Sequence, residues 1–205
     1  MTQQTERLAA ARHGGPSEIR EQIIIAASEH FSRYGYAKTT VADLAKAIGF
    51  SKAYIYKFFD SKQAIGEAIC GQCLAQISDA AQAAADQGTT ATEKYRKFFK
   101  TIVDLSVDLF FNDRKLYDIA AHSFSEKWAP STAYMERIYG MLREIILFGR
   151  ETREFERKTP LDETCRVILQ VMNPLTNPLM LEHNLDVIPE APNEVSNLVL
   201  RSLAP

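Results

Sequence analysis

Apolar residues recur along this chain at spacings of three and four, and nowhere alternate at two, which predicts helices without strands. Ile19, Ile23, Ala26, Ala27, Phe31 and Tyr34 form one stripe, capped by Ser17 and ended by Gly35. A shorter stripe, Val41, Leu44, Ala45 and Ile48, follows a threonine cap at Thr39 or Thr40. Gly49 stands just past it, where a positive φ turns the chain without strain. Ser51 then caps a third helix with Ile55 and Phe58 inward. Beyond Asp60-Ser61 an Ala-rich helix runs to about Asp86, and Gly88-Thr89-Thr90 breaks it.

Thr92 caps the next helix, which is apolar on more than one face through Phe98, Phe99, Ile102, Val103 and Leu109, as befits a central position. Asn112-Asp113 interrupts it. A short helix spans 114–123, and an aromatic connection over 124–130 carries Trp128. From Ser131 a long amphipathic helix ends in the mixed-charge run 150–158, read as an exposed helix end with i, i+4 pairs. After Thr159-Pro160 comes a helix over 162–172, then a kink or interruption at Asn173-Pro174 and Asn177-Pro178. Pro189 and Pro192 precede a last helix. The fold class expected is all-α.

The chemistry is concentrated between Thr39 and Lys62. Small Ala45 lets one helix cross another closely, Gly49 supplies the turn, and Ile55 plugs the angle, which is how a helix-turn-helix is built. Its outward face would carry Lys52, Ala53, Tyr54, Tyr56 and Lys57, a cationic-aromatic surface suited to a major groove. Lys62, in the first turn of the long helix, adds positive charge to the free N–H groups there and is expected to clamp a phosphate. Thr39, Thr40 and Ser51 complete the expected DNA-binding set, with Lys52, Ala53 and Tyr54 toward bases and Thr40, Tyr56, Lys57 and Lys62 on phosphates.

The run from Tyr34 to Ile65 resembles the N-terminal domain of the tetracycline-repressor (TetR) family. Its pattern is met at Thr40, Ala45, Gly49, Ser51, Tyr56, Phe58-Phe59 and Ser61-Lys62. Ala53 stands where the family often has glycine, which puts a methyl at a base-facing position. The polar start containing Gly14-Gly15-Pro16 reads as a flexible arm over 1–16, and the resemblance implies a DNA-binding domain over 17–62 and a helical effector-binding and dimerisation domain over 63–205.

Bulk numbers agree. Of 205 residues, 46% are hydrophobic and 24% charged, the balance of an ordinary globule. Net charge is −2, yet residues 1–60 hold eight Lys/Arg against six acids. A slightly basic end on an acidic remainder suits a site-specific binder that does not coat DNA everywhere. No run approaches the roughly 18 apolar residues of a membrane span, and the polar start lacks a signal sequence, so the cytoplasm is expected. Cys70 and Cys73 spell C-x-x-C, but three cysteines in all, with no second pair and no nearby histidine, favour pocket or core lining over a metal or redox site. No phosphate loop, nucleophile elbow or metal cluster points to an enzyme, and no cofactor is expected.

One helix-turn-helix reads too few base pairs for a unique site, and a two-fold dimer solves this. The seam expected from the resemblance uses Ile168, Val171, Leu175, Leu179, Val195, Leu198 and Val199. The resemblance also implies a small-molecule pocket in the body, for which Phe99, Val103, Tyr117, His122, Phe124, Trp128, Tyr139, Met172, Asn173 and Thr176 are candidate lining. The aromatic bias suggests a hydrophobic effector, and the resemblance implies that it releases a repressor from a palindromic DNA operator. The alternative is a ligand-independent regulator or scaffold whose body only dimerises or binds protein.

Overall fold

A computed structural model describes residues 15–205. All but the last two positions of the expected arm lie outside the described residues. Three helices form the head: α1 (Pro16–Tyr34), α2 (Val41–Ile48) and α3 (Lys52–Ile55). Pro16 opens α1 with its preset φ, and the Gly15 N–H is held by Glu18 Oε2 at 3.1 Å, so Ser17 is not the cap. Thr40 caps α2, its hydroxyl accepting the Asp43 N–H while Asp43 accepts the Thr40 N–H at 2.9 Å. The Thr40 hydroxyl also donates to the Asp43 carboxylate at 2.6 Å, and this bond, with the Thr40 N–H, holds the Asp43 carboxyl below its usual pKa. Gly49 takes the left-handed conformation, φ 77°, and Ser51 accepts the Tyr54 N–H at 3.1 Å.

The head core joins Ile23, Ala27, Phe31, Leu44, Ala45 and Ile55 with Phe59 rather than Phe58. The cause is local. The Ile55 carbonyl accepts the Phe59 N–H as well as the Phe58 N–H, so an α-type i, i+4 bond persists past Ile55 and brings Phe59, four residues on, back to the buried face. Tyr34, expected inside, is 54% exposed. Thr39, expected on DNA, is buried: its hydroxyl donates to the Gly35 carbonyl at 2.9 Å and lies 3.2 Å from His30 Nδ1.

The body comprises α4 (Lys62–Asp86), α5 (Ala91–Asn112), α6 (Arg114–Ser125), α7 (Ala129–Glu151), α8 (Leu161–Thr176), α9 (Pro178–Leu181) and α10 (Ala191–Ser202), with a 3-10 turn at Leu185–Val187. The described residues contain no strand. Helix α4 packs on α5 and α7, α8 on α7, α10 on α5, and the head meets the body chiefly where α1 lies along α6. Tyr95, Phe98, Phe99, Ile102 and Val103 put α5 at the centre, as its two apolar faces predict.

Several boundaries differ from expectation for identifiable reasons. Thr90, not Thr92, caps α5, its hydroxyl accepting the Glu93 N–H at 3.1 Å, while Glu154 reaches across to accept the Ala91 and Thr92 N–H groups and binds that helix end from outside. This places the mixed-charge run in a folded corner instead of an exposed helix end. Arg150 donates to the Thr159 carbonyl at 2.7 Å, the Glu156 N–H bonds the Leu203 carbonyl, and Phe155 tucks under Gly149. Helix α7 begins at Ala129, and Ser131 is buried within its first turn. Pro174 lies in the last turn of α8 and deletes only one late bond, so the break falls at Asn177, whose side chain caps α9.

Adding a methyl at Gly149 would place Cβ 2.1 Å from Phe155 Cδ2, whereas Gly140 faces open space. Gly149→Ala is expected to cost about 1–3 kcal/mol, and Gly140→Ala to add about 0.5–1 kcal/mol through helix propensity. Opposite shifts in thermal melting temperature would bear this out. Thr39→Val should cost about 1–3 kcal/mol of stability through its lost hydroxyl bonds, read as a lower melting temperature, while leaving the salt dependence of DNA binding unchanged.

Candidate nucleic-acid interface and body cavity

The outward face of the head is built by shape first. Because α3 is one turn long and flanked by Gly49 and a tight second turn, its side chains stand on a short rigid corner. Ser51, Lys52, Ala53, Tyr56 and Lys57 are exposed there, and Thr40 lies exposed at the start of α2. Tyr54 is only half-exposed, its ring edge-on between Phe50 at 5.0 Å and Phe58 at 5.4 Å. The two lysines lean on aromatic faces, Lys52 Nζ 5.7 Å from the Tyr56 ring and Lys57 Nζ 5.6 Å from the Tyr54 ring. Neither is paired with a carboxylate among the described residues. The result is a compact cationic corner on which neither lysine is neutralised, the nearby Asp43 carboxylate being held by Thr40.

Two expected members are drawn away from it. Thr39 is 2% exposed and spends its hydroxyl inside the head, so it has no surface to offer DNA. Lys62 donates to the Tyr36 carbonyl at 3.0 Å and lies 4.3 Å above the Tyr36 ring, tying α4 to the α1–α2 loop instead of projecting freely as a phosphate clamp. Conversely, Lys38 and Lys46 are exposed beside Thr40 and on the last turn of α2. The sequence shows them only as scattered cations, because nothing in the spacing separates them from a solvated face.

The body encloses a narrow cavity between α4, α5, α6, α7 and the α8–α9 corner. Leu74, Ile77, Ser106, Leu109, Tyr117, Ala120, Phe124, Tyr134, Thr176 and Pro178 line it, and its free space is ≈ 20 Å³, about one water molecule. The Tyr117 hydroxyl donates to the Pro178 carbonyl at 2.6 Å, closing the α9 side, and burial pushes its pKa up to about 12. Outside this closure Arg114 stacks 4.3 Å from the Phe110 ring and pairs with Asp118 and Glu182 at 2.9 and 2.5 Å.

Of the candidate lining, Tyr117, Phe124 and Thr176 do meet around the cavity. Phe99, Val103 and Met172 are ordinary core at 0, 0 and 1% exposure. His122 and Trp128 turn to the head, ring centroids 5.1 Å apart and each 5.6 Å from Tyr36. Tyr139 and Asn173 line a separate open depression between α7 and α8, where the Tyr139 hydroxyl donates to Asp162 at 2.9 Å. Leu74, Ile77, Leu109 and Tyr134 escape sequence reading because a cavity wall and a packed core present the same apolar spacing.

Among the expected dimer residues, Ile168, Leu175 and Val199 are buried in the chain's own core, since α8 packs on α7 and α10 on α5. Val171 and Val195 are half-buried, while Leu179 and Leu198 are exposed. Val167, 49% exposed beside Ile168, joins the outward apolar set. All three cysteines are free. Burial pushes Cys73 and Cys165 up to about 11, which suits packing and not thiolate chemistry. Among the described residues there is no metal-binding cluster and no helix long and apolar enough to cross a membrane.

Comparison with known proteins accounts for both halves. Residues 23–69 match the family described as bacterial regulatory proteins, tetR family, and residues 91–195 match the tetracyclin repressor-like C-terminal domain. No curated protein matches the sequence. Among solved structures, FadR from Bacillus subtilis in complex with stearoyl-CoA is similar at 20% identity and TM-score 0.67, with 89% of this chain and 98% of that chain covered. The fatty acid degradation regulator FadR from Bacillus halodurans gives 21% and 0.65 over 89% and 98%. PfmR from Thermus thermophilus, a TetR family regulator, gives 24% and 0.58 over 89% and 99%. With a helix-turn-helix head on an all-helical body and the family's two domains matched in order, the chain belongs to the TetR family of DNA-binding transcriptional regulators.

Proposed function

We propose that this regulator is a homodimeric repressor that binds a palindromic operator and is released by a hydrophobic effector. The observation that carries the DNA contact is the unpaired cationic-aromatic corner of the head. Lys52 and Ala53 face bases with the exposed edge of Tyr54, and Thr40, Tyr56 and Lys57 hold phosphates. Lys62 serves the fold in the first place, its ammonium already engaged with Tyr36. The outward apolar residues Val167 and Leu198, with half-buried Val171 and Val195, support pairing through α8 and α10.

The cavity lining supports an effector with an apolar body, since it carries no charged side chain. A related fold, FadR from Bacillus subtilis, was crystallised with stearoyl-CoA, which makes long acyl groups a reasonable first probe. The closed state of the cavity favours a second reading, a ligand-independent regulator. The two differ by whether an apolar compound can open it. Long-chain acyl-CoA or free fatty acid raising the melting temperature by mass action supports the first reading. A flat response across a hydrophobic panel leaves the second.

Three outcomes test the DNA-binding reading on a duplex selected from a random pool. Lys57→Ala is expected to weaken binding similarly across sequences and to reduce the salt slope by about one; an unchanged slope removes its phosphate role. Tyr54→Ala should change base preference. Val167→Glu with Leu198→Glu should give monomers by sedimentation and abolish cooperative binding to two half-sites, and a persistent dimer would move the interface elsewhere.

A further inference from the structure

We infer that Tyr36, Trp128 and Lys62 form a latch fixing the angle of the head, and that the segment from Phe124 to Tyr134 links this latch to the cavity. The inference rests on the regulator reading above and names the positioning residues through which cavity and head communicate. Tyr36 belongs to the α1–α2 loop of the head, yet most of what touches its ring is body. Trp128 meets it edge-on at 5.6 Å, His122 at 5.6 Å, and Lys62 Nζ sits 4.3 Å above it while bonding its carbonyl. Phe31, edge-on at 5.2 Å, anchors it to the head core. The slot is cut to fit: a methyl on Gly66 would lie 2.9 Å from Tyr36 Cε2 and 3.1 Å from Trp128 Cζ3.

The other end of the link is the cavity. Phe124 and Tyr134 line it with ring centroids 6.2 Å apart, and Trp128 lies between them in sequence. The connection is stiff. Lys127 holds the left-handed region at φ 53°, the Trp128 N–H bonds the Ser123 carbonyl at 2.9 Å, and Ser131 Oγ lies 2.8 Å from the Trp128 carbonyl. A side chain displaced from the cavity wall therefore moves the indole instead of being absorbed by a slack loop. At the opposite end of α6, Asp113 caps the helix and also accepts the Ser32 hydroxyl of the head at 2.5 Å. The head is thus held at both ends of α6, a helix that also forms one of the cavity walls.

Trp128 is the single tryptophan, so its emission reports the latch directly. The full-length protein is used, with Ala120→Leu as a permanent stand-in for an occupant, because Ala120 lines the cavity. Binding to a duplex selected by the parent protein is measured for the parent, Ala120→Leu, Tyr36→Ala and the double variant, with circular dichroism confirming folding. Ala120→Leu is expected to weaken binding about tenfold or more in the parent and by less than about threefold in the Tyr36→Ala background. It should also raise acrylamide quenching of Trp128. Tyr36→Phe, which keeps the ring, should retain the coupling and guards against a poorly folded alanine variant. Equal weakening in both backgrounds, or Trp128 emission indifferent to Ala120→Leu, overturns the latch. If the parent selects no duplex at all, the DNA-binding reading falls, and the emission measurement still decides the latch.

Discussion

Helix α4 has to serve two packing problems with one rigid rod, and most of this molecule follows from that. Near its start Gly66 must carry no side chain, so that Tyr36 of the head and Trp128 of the body can meet against it. Eight residues on, about 12 Å along the axis, Leu74 and then Ile77 form a wall of the cavity. The interior is close-packed at both places, and a helix does not stretch. A rotation or tilt that suits one end is therefore imposed on the other. Its Ala-rich middle fits this duty, because small side chains allow close approach to α5 and α7 while keeping helix propensity high.

The closed cavity adds an energetic condition. An apolar space of about one water's volume has no room for an effector, so any effector must separate walls that already touch. The cost includes the Tyr117–Pro178 hydrogen bond and, on its outer side, the exposed Arg114–Glu182 pair. The ion pair contributes little because solvent screens it. The buried hydroxyl matters more, since an unmade bond there leaves a desolvated donor. A ligand shifts such an equilibrium only by the difference between its affinities for the two states. A greasy molecule that buries new surface in the opened body has that difference, and a polar one lacks it.

The sequence was most legible where local rules act alone. Thr40, Gly49 and Ser51 are caps and a turn, each fixed by bonds within a few residues, and they stand where the spacing puts them. The long helix from Lys62 to Asp86 and the interruption at Asp113 follow for the same reason. What escaped depends on partners distant in sequence. Glu154 is an ordinary acid in a charged run until the fold sets it on the α5 terminus, and Thr39 looks as available as Thr40 until Gly35 and His30 close over it. Phe59 takes the place expected for Phe58 because an i, i+4 bond persists past Ile55 and returns the fourth residue, not the third, to the buried face. Ile168 and Leu175 carry the same stripe whether it faces its own core or a second copy, and periodicity cannot choose.

Charge is arranged with the same economy as packing. Arginines of the body, such as Arg114, Arg137 and Arg150, have carboxylate partners, whereas Lys52 and Lys57 of the head rest on aromatic rings. A cation over a ring is oriented without being neutralised, so its charge stays available to a phosphate or a base edge and little side-chain freedom is left to lose on docking. Ala53, exposed beside Lys52, adds only a methyl to this corner. Phosphate attraction is blind to sequence, so discrimination by any such head falls to the few side chains that reach base edges. On the dimeric reading proposed above, so small a reading surface has value only if its spacing to a second copy is held firmly, and a side chain in the α1–α2 loop, remote from any base, then matters as much as one that touches DNA.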